Sequence, residues 1–182
     1  MNTTYVIIAV VLILFVAGMV VLPILSRRRR SEKFHDQFGT EYDRTVELMG
    51  SEKDAQAEFD KRRKHVEAMD LRPLSLQERE RYLVDWTSMQ AKFVDSPGES
   101  TVEADRLIME VMQLRAYPIS DFEQRAADIS VSYPSLVSNY RAGRVIAIKN
   151  QENQADTEEL RQAMIYYRSL FDELLVTDTV VV

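Results

Sequence analysis

Residues 75–93 read SLQERERYLVDWTSMQAKF and predict one amphipathic helix with a marked beginning. Ser75 and Glu78 have the spacing of a capping box, in which a serine and a glutamate side chain reciprocally bind two backbone amides at the start of a helix. After this start, large apolar side chains recur every three or four residues: Tyr82, Trp86, Met89 and Phe93. This period is typical of a helix that buries one face.

Similar helices follow this stretch, and a turn or a proline separates each from the next. The sequence predicts four of them: from the turn at 95–98 to about Ala116, from a second capping box at Ser120 to about Ser130, from Ser135 to about Lys149, and from a cap at Asp156 onward. The apolar stripe of the last helix is Leu160, Met164, Tyr167, Phe171 and Leu174. Gly143, inside the third, indicates either a close approach of a neighbouring helix or a local weak point.

The segment before residue 75 also has helical periodicity, but it is more charged and more often interrupted. A first stretch is interrupted by Gly39 and ends at Gly50, and a second runs from about Glu52 to Met69. The sequence contains no repeat and no alternating pairs of strands, so the predicted fold class is all-α. Two architectures stay open: a helical stalk that carries a bundle, or one core shared by all the helices. The scarcity of large apolar residues between 31 and 64 favours the stalk.

The most apolar part of the sequence is residues 5–25, YVIIAVVLILFVAGMVVLPIL, which contain no charged residue. A helix of this length measures roughly 32 Å and matches the hydrocarbon core of a bilayer. The sequence therefore predicts a single transmembrane helix bounded by Tyr5 and Leu25. Basic residues beside a span stay on the cytoplasmic side, so the cluster after it predicts an N-terminus outside and the rest of the chain in the cytoplasm. The cluster is Arg27, Arg28, Arg29 and Arg30.

These patterns together predict five segments. They are a short extracytoplasmic N-terminus at 1–4, the transmembrane helix at 5–25, a basic juxtamembrane segment and helical stalk at 26–70, a helical bundle domain at 71–176, and a flexible tail at 177–182. These patterns predict a single-pass membrane protein with the lipid bilayer as one partner, and in a bacterium the corresponding location is the inner (cytoplasmic) membrane.

The composition excludes several classes of function. The chain has 23 basic and 29 acidic residues and a net charge of −6, which disfavours nucleic acid as a partner. Without cysteine it has no disulfide, no thiolate metal site and no cysteine nucleophile. Glu32 and His35 form the only pair with the spacing of carboxylate-bridged metal bundles, and a solvated histidine is the simpler interpretation. Since no catalytic or nucleotide-binding motif occurs, the sequence predicts no metal, no cofactor and no enzymatic activity.

Several short motifs resemble those of one protein family. They are DFEQRAADIS at 121–130 with Pro134 and Asn139-Tyr140-Arg141, Phe38-Gly39 followed by Glu41-Tyr42-Asp43, Arg72-Pro73-Leu74-Ser75, and ELRQAM at 159–164 with the helix to Leu174. Together they resemble an uncharacterised family of bacterial helical proteins that are membrane-anchored or, in some members, labelled as secreted. The resemblance implies a bacterial source and an anchor followed by a helical domain. It assigns no activity and no functional residue.

The sequence favours a membrane-tethered helical interaction or scaffold module that binds a protein partner. Two alternatives stay open: an enzyme with a carboxylate and tyrosine site, or an envelope protein with its domain outside the cytoplasm. Arginine and aromatic residues, which are enriched at interface hot spots, occur together between 121 and 168. The predicted partner contacts are Phe122, Arg125, Tyr140, Arg141, Tyr166 and Arg168. A competing interpretation assigns Arg125 and Arg141 to internal ion pairs with Asp121, Glu123 or Asp128.

Overall fold

The computed structural model describes residues 12, 19, 29–118 and 120–176. The regular secondary structure in these ranges is helical, which confirms the all-α prediction. The helices are α1 (residues 29–38), α2 (Thr40–Met49), α3 (Glu52–Glu67), α4 (Leu76–Lys92), α5 (Pro97–Leu114), α6 (Phe122–Ser132), α7 (Val137–Gln151) and α8 (Thr157–Leu174).

The fold prediction is wrong in one part: the described residues contain no transmembrane helix. Of the predicted span at 5–25, Leu12 and Met19 are described, and the remainder lies outside the described residues. No helix formed by the described residues is long and apolar enough to cross a membrane. The longest of them, α5 and α8, have 18 residues each and contain five and six charged residues. Both helices are amphipathic, with an apolar face that packs on protein and a polar face on the opposite side.

Two glycines set the boundaries of α2. Gly39 separates α1 from α2 with a φ of 51°, and Gly50 follows α2 with a φ of 77°. Glycine adopts positive φ without the steric penalty that a Cβ brings. The amide of Gly50 donates to the carbonyl of Val46 at 2.9 Å and completes the last turn. The predicted interruption at Gly39 and the predicted end at Gly50 are confirmed.

The predicted helix caps at Ser75 and Asp156 are confirmed. Ser75 opens α4 with a capping box, and Asp156 caps α8. The cap predicted at Ser120 is wrong by one residue, because the carboxylate of Asp121 accepts a hydrogen bond of 2.9 Å from the amide of Gln124 and α6 begins after it. Serine and aspartate are equally good caps. The extended backbone of Asp121, with φ −66° and ψ 173°, decides between them.

The chain divides into two compact units, Met1–Gln56 and Ala57–Val182. In the first unit, the rings of Phe38 and Tyr42 lie 5.7 and 5.9 Å from the ring of Phe34, measured between centroids. The boundary falls inside the segment 26–70 that the sequence assigns to a stalk. The predicted boundaries at residues 70 and 176 stay predictions.

Helix α5 is central to the second unit, where it packs against α4, α7 and α8, and α7 also packs against α6 and α8. Trp86 of α4 is 1% exposed, which confirms its predicted core position. A Cβ atom added to Gly143 of α7 would lie 2.9 Å from Cε1 of Tyr167 on α8, so this glycine marks a close approach of two helices. The largest buried side chains of this unit include Phe59, Trp86, Met89, Ile108, Tyr140, Tyr167 and Phe171.

Candidate functional site

A groove of about 860 Å³ lies between α4 and α8 in the second unit. Its volume is in the range of roughly 300–1,000 Å³ that is usual for ligand-binding pockets. Among the described residues, those that line it include two arginines and no carboxylate. The lining residues are Trp86, Thr87, Gln90 and Phe93 from α4 and its end, and Arg161, Met164, Ile165, Arg168 and Ser169 from α8.

The floor of the groove is apolar because residues from the apolar stripes of α4 and α8 line it. The floor consists of Trp86, which is 1% exposed, and Met164, which is 8% exposed. The ring of Trp86 also contacts Phe171 of α8, with the ring centroids 4.5 Å apart, and this contact joins the two helices. Phe93 is partly buried, whereas Ile165 is 45% exposed. The groove therefore combines a fixed floor with an apolar side chain that faces water.

Exposed ion pairs within α8 hold the two arginines of the groove. The guanidinium of Arg168 lies over the ring of Trp86, 5.3 Å from its centroid, and its Nε is 2.7 Å from the carboxylate of Asp172. Nη2 of Arg161 is 2.6 Å from the carboxylate of Glu158. Hydrogen bonding to Arg161 lowers the pKa of Glu158 below its ordinary value. Nε of Arg161 also donates to the second carboxylate oxygen of Glu158 at 2.8 Å, so this pair is bidentate. A carboxylate that arrives from outside therefore competes with Glu158 for Arg161 and with Asp172 for Arg168.

Four of the six predicted partner contacts lie together where α6 meets α7: Phe122, Arg125, Tyr140 and Arg141. The ring centroids of Phe122 and Tyr140 are 4.9 Å apart. Nε of Arg125 donates to the Tyr140 hydroxyl at 3.3 Å, and Arg141 forms an ion pair of 2.7 Å with Glu123. The Arg141 pair agrees with the competing interpretation, in which arginine fixes the two helices internally. A role for these residues as partner contacts stays a prediction.

A buried carboxylate lies next to this cluster. Asp105 of α5 is 7% exposed, and its Oδ1 accepts a hydrogen bond of 3.4 Å from the Tyr140 hydroxyl. Its Oδ2 is 3.8 Å from Nη1 of Arg144. Burial raises the pKa of Asp105 above its ordinary value, although the charges of Arg125 and Arg144 oppose this change. Since α5, α6 and α7 all contribute, the cluster connects three helices.

The remaining two predicted contacts, Tyr166 and Arg168, both belong to α8 but have different environments. Arg168 lines the groove, whereas Tyr166 is partly buried and is not one of the lining residues. Helical residues two positions apart point in different directions, which explains the separation. Arg168 is thus the one of the six predicted contacts that lines this groove, and a role for Tyr166 as a partner contact stays a prediction.

The predicted anchor and topology residues fall largely outside the described part of the chain. Tyr5, Leu25, Arg27 and Arg28 are not among the described residues. Arg29 and Arg30 are exposed residues of α1, and the guanidinium of Arg30 is 5.7 Å from the ring centroid of Phe34.

The predicted glutamate–histidine pair lies in the first unit. Glu32 and His35 line a hollow of about 490 Å³ together with several acidic residues. Nε2 of His35 is 3.4 Å from the carboxylate of Asp43. Within the described ranges, no three histidine, cysteine or acidic side chains are grouped so that they could hold a metal ion.

A second buried carboxylate belongs to Asp128 of α6, which is 1% exposed. Its Oδ1 accepts a hydrogen bond of 2.8 Å from Gln124 and lies 3.8 Å from Nε2 of His65. Its Oδ2 is buried and has no hydrogen-bond partner among the described residues. Burial raises the pKa of Asp128, whereas the Gln124 hydrogen bond and the charges of His65 and Arg62 lower it. An ionised carboxylate in this position is therefore only partly compensated.

Sequence reasoning missed the groove, although Arg168 is one of its residues. A local signal is present in α8, where Arg161, Ile165 and Arg168 follow the spacing i, i+4, i+7 and place an apolar residue between two cations. The other wall belongs to α4, and the pairing of α4 with α8 is a result of tertiary packing on α5. No periodicity within one helix contains that information.

No known protein family, curated protein or solved structure matches this chain. The resemblance to an uncharacterised bacterial family stays a prediction.

Proposed function

We propose that this chain is a helical protein-binding module and that a segment of its partner occupies the α4–α8 groove. The observation that carries the proposal is the combination of Trp86, Arg161 and Arg168 around one apolar groove. Tryptophan and arginine are enriched among the residues that dominate binding energy at interfaces. The exposed Ile165 adds apolar area that a partner removes from water.

The dimensions of the groove suit a segment of protein. Its lining residues run from Trp86 to Phe93 along one wall and from Arg161 to Ser169 along the other. At 1.5 Å per helical residue these walls are about 10–12 Å long. A trough between two helices with an apolar floor is the arrangement that binds an amphipathic helix in helix-in-groove recognition.

The cluster between α6 and α7 supports the proposal less well. Tyr140 is fully buried, and its hydroxyl group is used by Arg125 and Asp105. Arg141 is paired with Glu123 across the two helices. A partner at this surface would have to compete with contacts that hold the protein's own helices together.

The enzymatic alternative is favoured by buried carboxylates with a raised pKa, of which Asp105 lies beside the Tyr140 hydroxyl. Perturbed carboxylates of this kind occur both in catalytic sites and in structural networks. Catalysis requires a substrate to reach the carboxylate, but Asp105 is 7% exposed and does not line the groove. Protein binding is therefore the function that the described residues support best.

Site-specific photo-crosslinking tests the proposal. A photoreactive amino acid is placed at Ile165 in the groove and, in a matched strain, at Val145 of α7, which is 56% exposed and lies outside the groove. The Ile165 probe is expected to form one dominant crosslink to a protein, identified by mass spectrometry, that the Val145 probe does not form. The crosslink should also disappear when Arg161 and Arg168 are both changed to Glu.

The control for the charge reversal is Arg106→Glu on α5. Arg106 forms an exposed i,i+4 ion pair with Glu110, as Arg168 does with Asp172, but it does not line the groove. This variant should retain the Ile165 crosslink. The same crosslinked proteins from both probes, or no crosslink from Ile165, would rule out the groove as the binding site.

A further inference from the structure

We infer that the partner segment in the α4–α8 groove is an acidic amphipathic helix of about two turns, with apolar side chains on the groove floor and carboxylates at the two arginines. This inference rests on the proposed function and specifies the chemistry of the partner.

The side chains that line the groove differ in charge from the protein as a whole. The whole chain has a net charge of −6, yet the described residues that line the groove contribute Arg161 and Arg168 and no acidic side chain. Glu158 and Asp172 balance these two charges on α8, so an acidic segment gains the arginines by displacing those two carboxylates. Complementary charge of this kind selects the partner and its orientation more than it sets the total affinity.

The ion pairs that now occupy the arginines are of a type that a partner can replace. Arg161 is paired with Glu158 three residues away, and Arg168 with Asp172 four residues away. The side chains of Arg161 and Glu158 are 53% and 70% exposed, and those of Arg168 and Asp172 are 39% and 50% exposed. A partner that covers the groove excludes water from the guanidinium groups, which strengthens their hydrogen bonds to carboxylates of the partner.

The spacing of the arginines specifies the spacing of the carboxylates. Arg161 and Arg168 are seven residues apart, or about 10.5 Å along α8. A second helix that lies along the groove places residues i and i+7 at the same separation. Between these positions, the apolar residues i+3 and i+4 face Trp86, Met164 and Ile165.

Trp86 is the only tryptophan in the chain and lies on the floor of the groove, so its fluorescence reports binding there. The full chain is titrated with a capped 14-residue helical peptide that has Glu at i and i+7 and Leu at i+3 and i+4, with no aromatic residue. The matched probe carries Lys in place of both Glu residues, and a third peptide has the Glu sequence in scrambled order. The expected result is a saturable change with the Glu peptide and at least tenfold weaker binding of the other two.

Charge reversal in the protein provides the matched test. In the double variant R161E/R168E the preference should invert, so that the Lys peptide binds at least tenfold more tightly than the Glu peptide. Arg106→Glu should behave as the unchanged protein does. The helical circular dichroism of each variant is measured first, and R161Q/R168Q replaces the double reversal if that variant does not fold. In the Gln variant the preference for the Glu peptide should be lost.

Three results would overturn the inference. Equal binding of the Glu and Lys peptides would show that the groove does not select charge. Binding of neither peptide, combined with a partner crosslink at Ile165, would show that the partner has another chemistry while the proposed function stands. Binding of neither peptide, combined with no such crosslink, would remove both the inference and the proposed function.

Discussion

At the scale of single residues, Trp86 has two roles. Its ring is buried against Phe171 in the core, and the same ring forms the floor of the groove beneath Arg168. Periodicity in α4 was sufficient to predict the first role, because the residue falls on the apolar stripe. The second role depends on α8 and could not be predicted from α4.

Replacing Trp86 with Ala should lower the free energy of unfolding by about 3–5 kcal/mol, because the substitution leaves a cavity under α8. Urea unfolding followed by circular dichroism measures this loss. The control is Val84→Ala on the same helix, where the side chain is 67% exposed and the change should be below about 0.5 kcal/mol. A similarly small change at Trp86 would contradict its core position.

Asp128 provides a prediction about pH. Burial raises its pKa in the folded protein, so the folded state binds more protons than the unfolded state between the ordinary pKa of about 4 and the raised pKa. The stability contributed by this group is therefore greatest below pH 4 and falls as pH rises through the raised pKa. The isosteric change Asp128→Asn should remove this part of the pH dependence and make the protein more stable than the unchanged chain at pH 6.

The measurement is the free energy of unfolding between pH 3.5 and 6 for the unchanged chain and the variant. Asp85→Asn is the control, since the Asp85 side chain on α4 is 41% exposed and has an ion pair to Arg81. The difference between the Asp128 variant and the unchanged chain should grow with pH. Parallel curves over this range would mean that burial does not penalise the Asp128 carboxylate.

At the scale of helices, the sequence predicts the start of a helix best where two side chains form a capping box. The box formed by Ser75 and Glu78 was predicted from four consecutive residues and is present, with the Glu78 carboxylate 2.8 Å from the amide of Ser75. At α6 the adjacent Ser120 and Asp121 are both suitable caps, and the predicted choice was wrong by one residue. Local chemistry therefore locates a helix start to within a residue, and the backbone conformation decides the rest.

Changing Ser75 to Ala should cost about 1 kcal/mol, because the amide of Glu78 loses its hydrogen bond. Arg72 and the Ser75 amide together lower the pKa of Glu78 to about 2. The Glu78 carboxylate therefore stabilises the fold above its ordinary pKa of about 4.5, and this stabilisation is lost as pH falls toward 2. Urea unfolding at pH 7 measures the cost, with Ser88→Ala at an exposed position inside α4 as the control. Equal stability of the two variants would contradict the capping box.

At the scale of the whole molecule, the all-α class could be predicted and the groove could not. In each helix, apolar residues recur every three or four positions and indicate the buried face. This periodicity is sufficient to predict the all-α fold class. The pairing of faces depends on contacts far apart in sequence, such as the close approach of Gly143 to Tyr167. The α4–α8 groove results from two helices that pack on the same central helix. The predicted transmembrane helix, in contrast, is not supported by any helix in the described part of the chain.

The claim that the groove is the binding site is tested most directly by one nuclear magnetic resonance titration. The ¹⁵N-labelled full chain contains one tryptophan and so gives one indole resonance, that of Trp86. The ligand is the peptide segment of the partner that is identified by crosslinking at Ile165. The predicted result is a saturable shift of the Trp86 indole and of the amides from Arg161 to Ser169, with Val145 unchanged. An unshifted Trp86 indole, with shifts concentrated on α6 and α7, would contradict the claim.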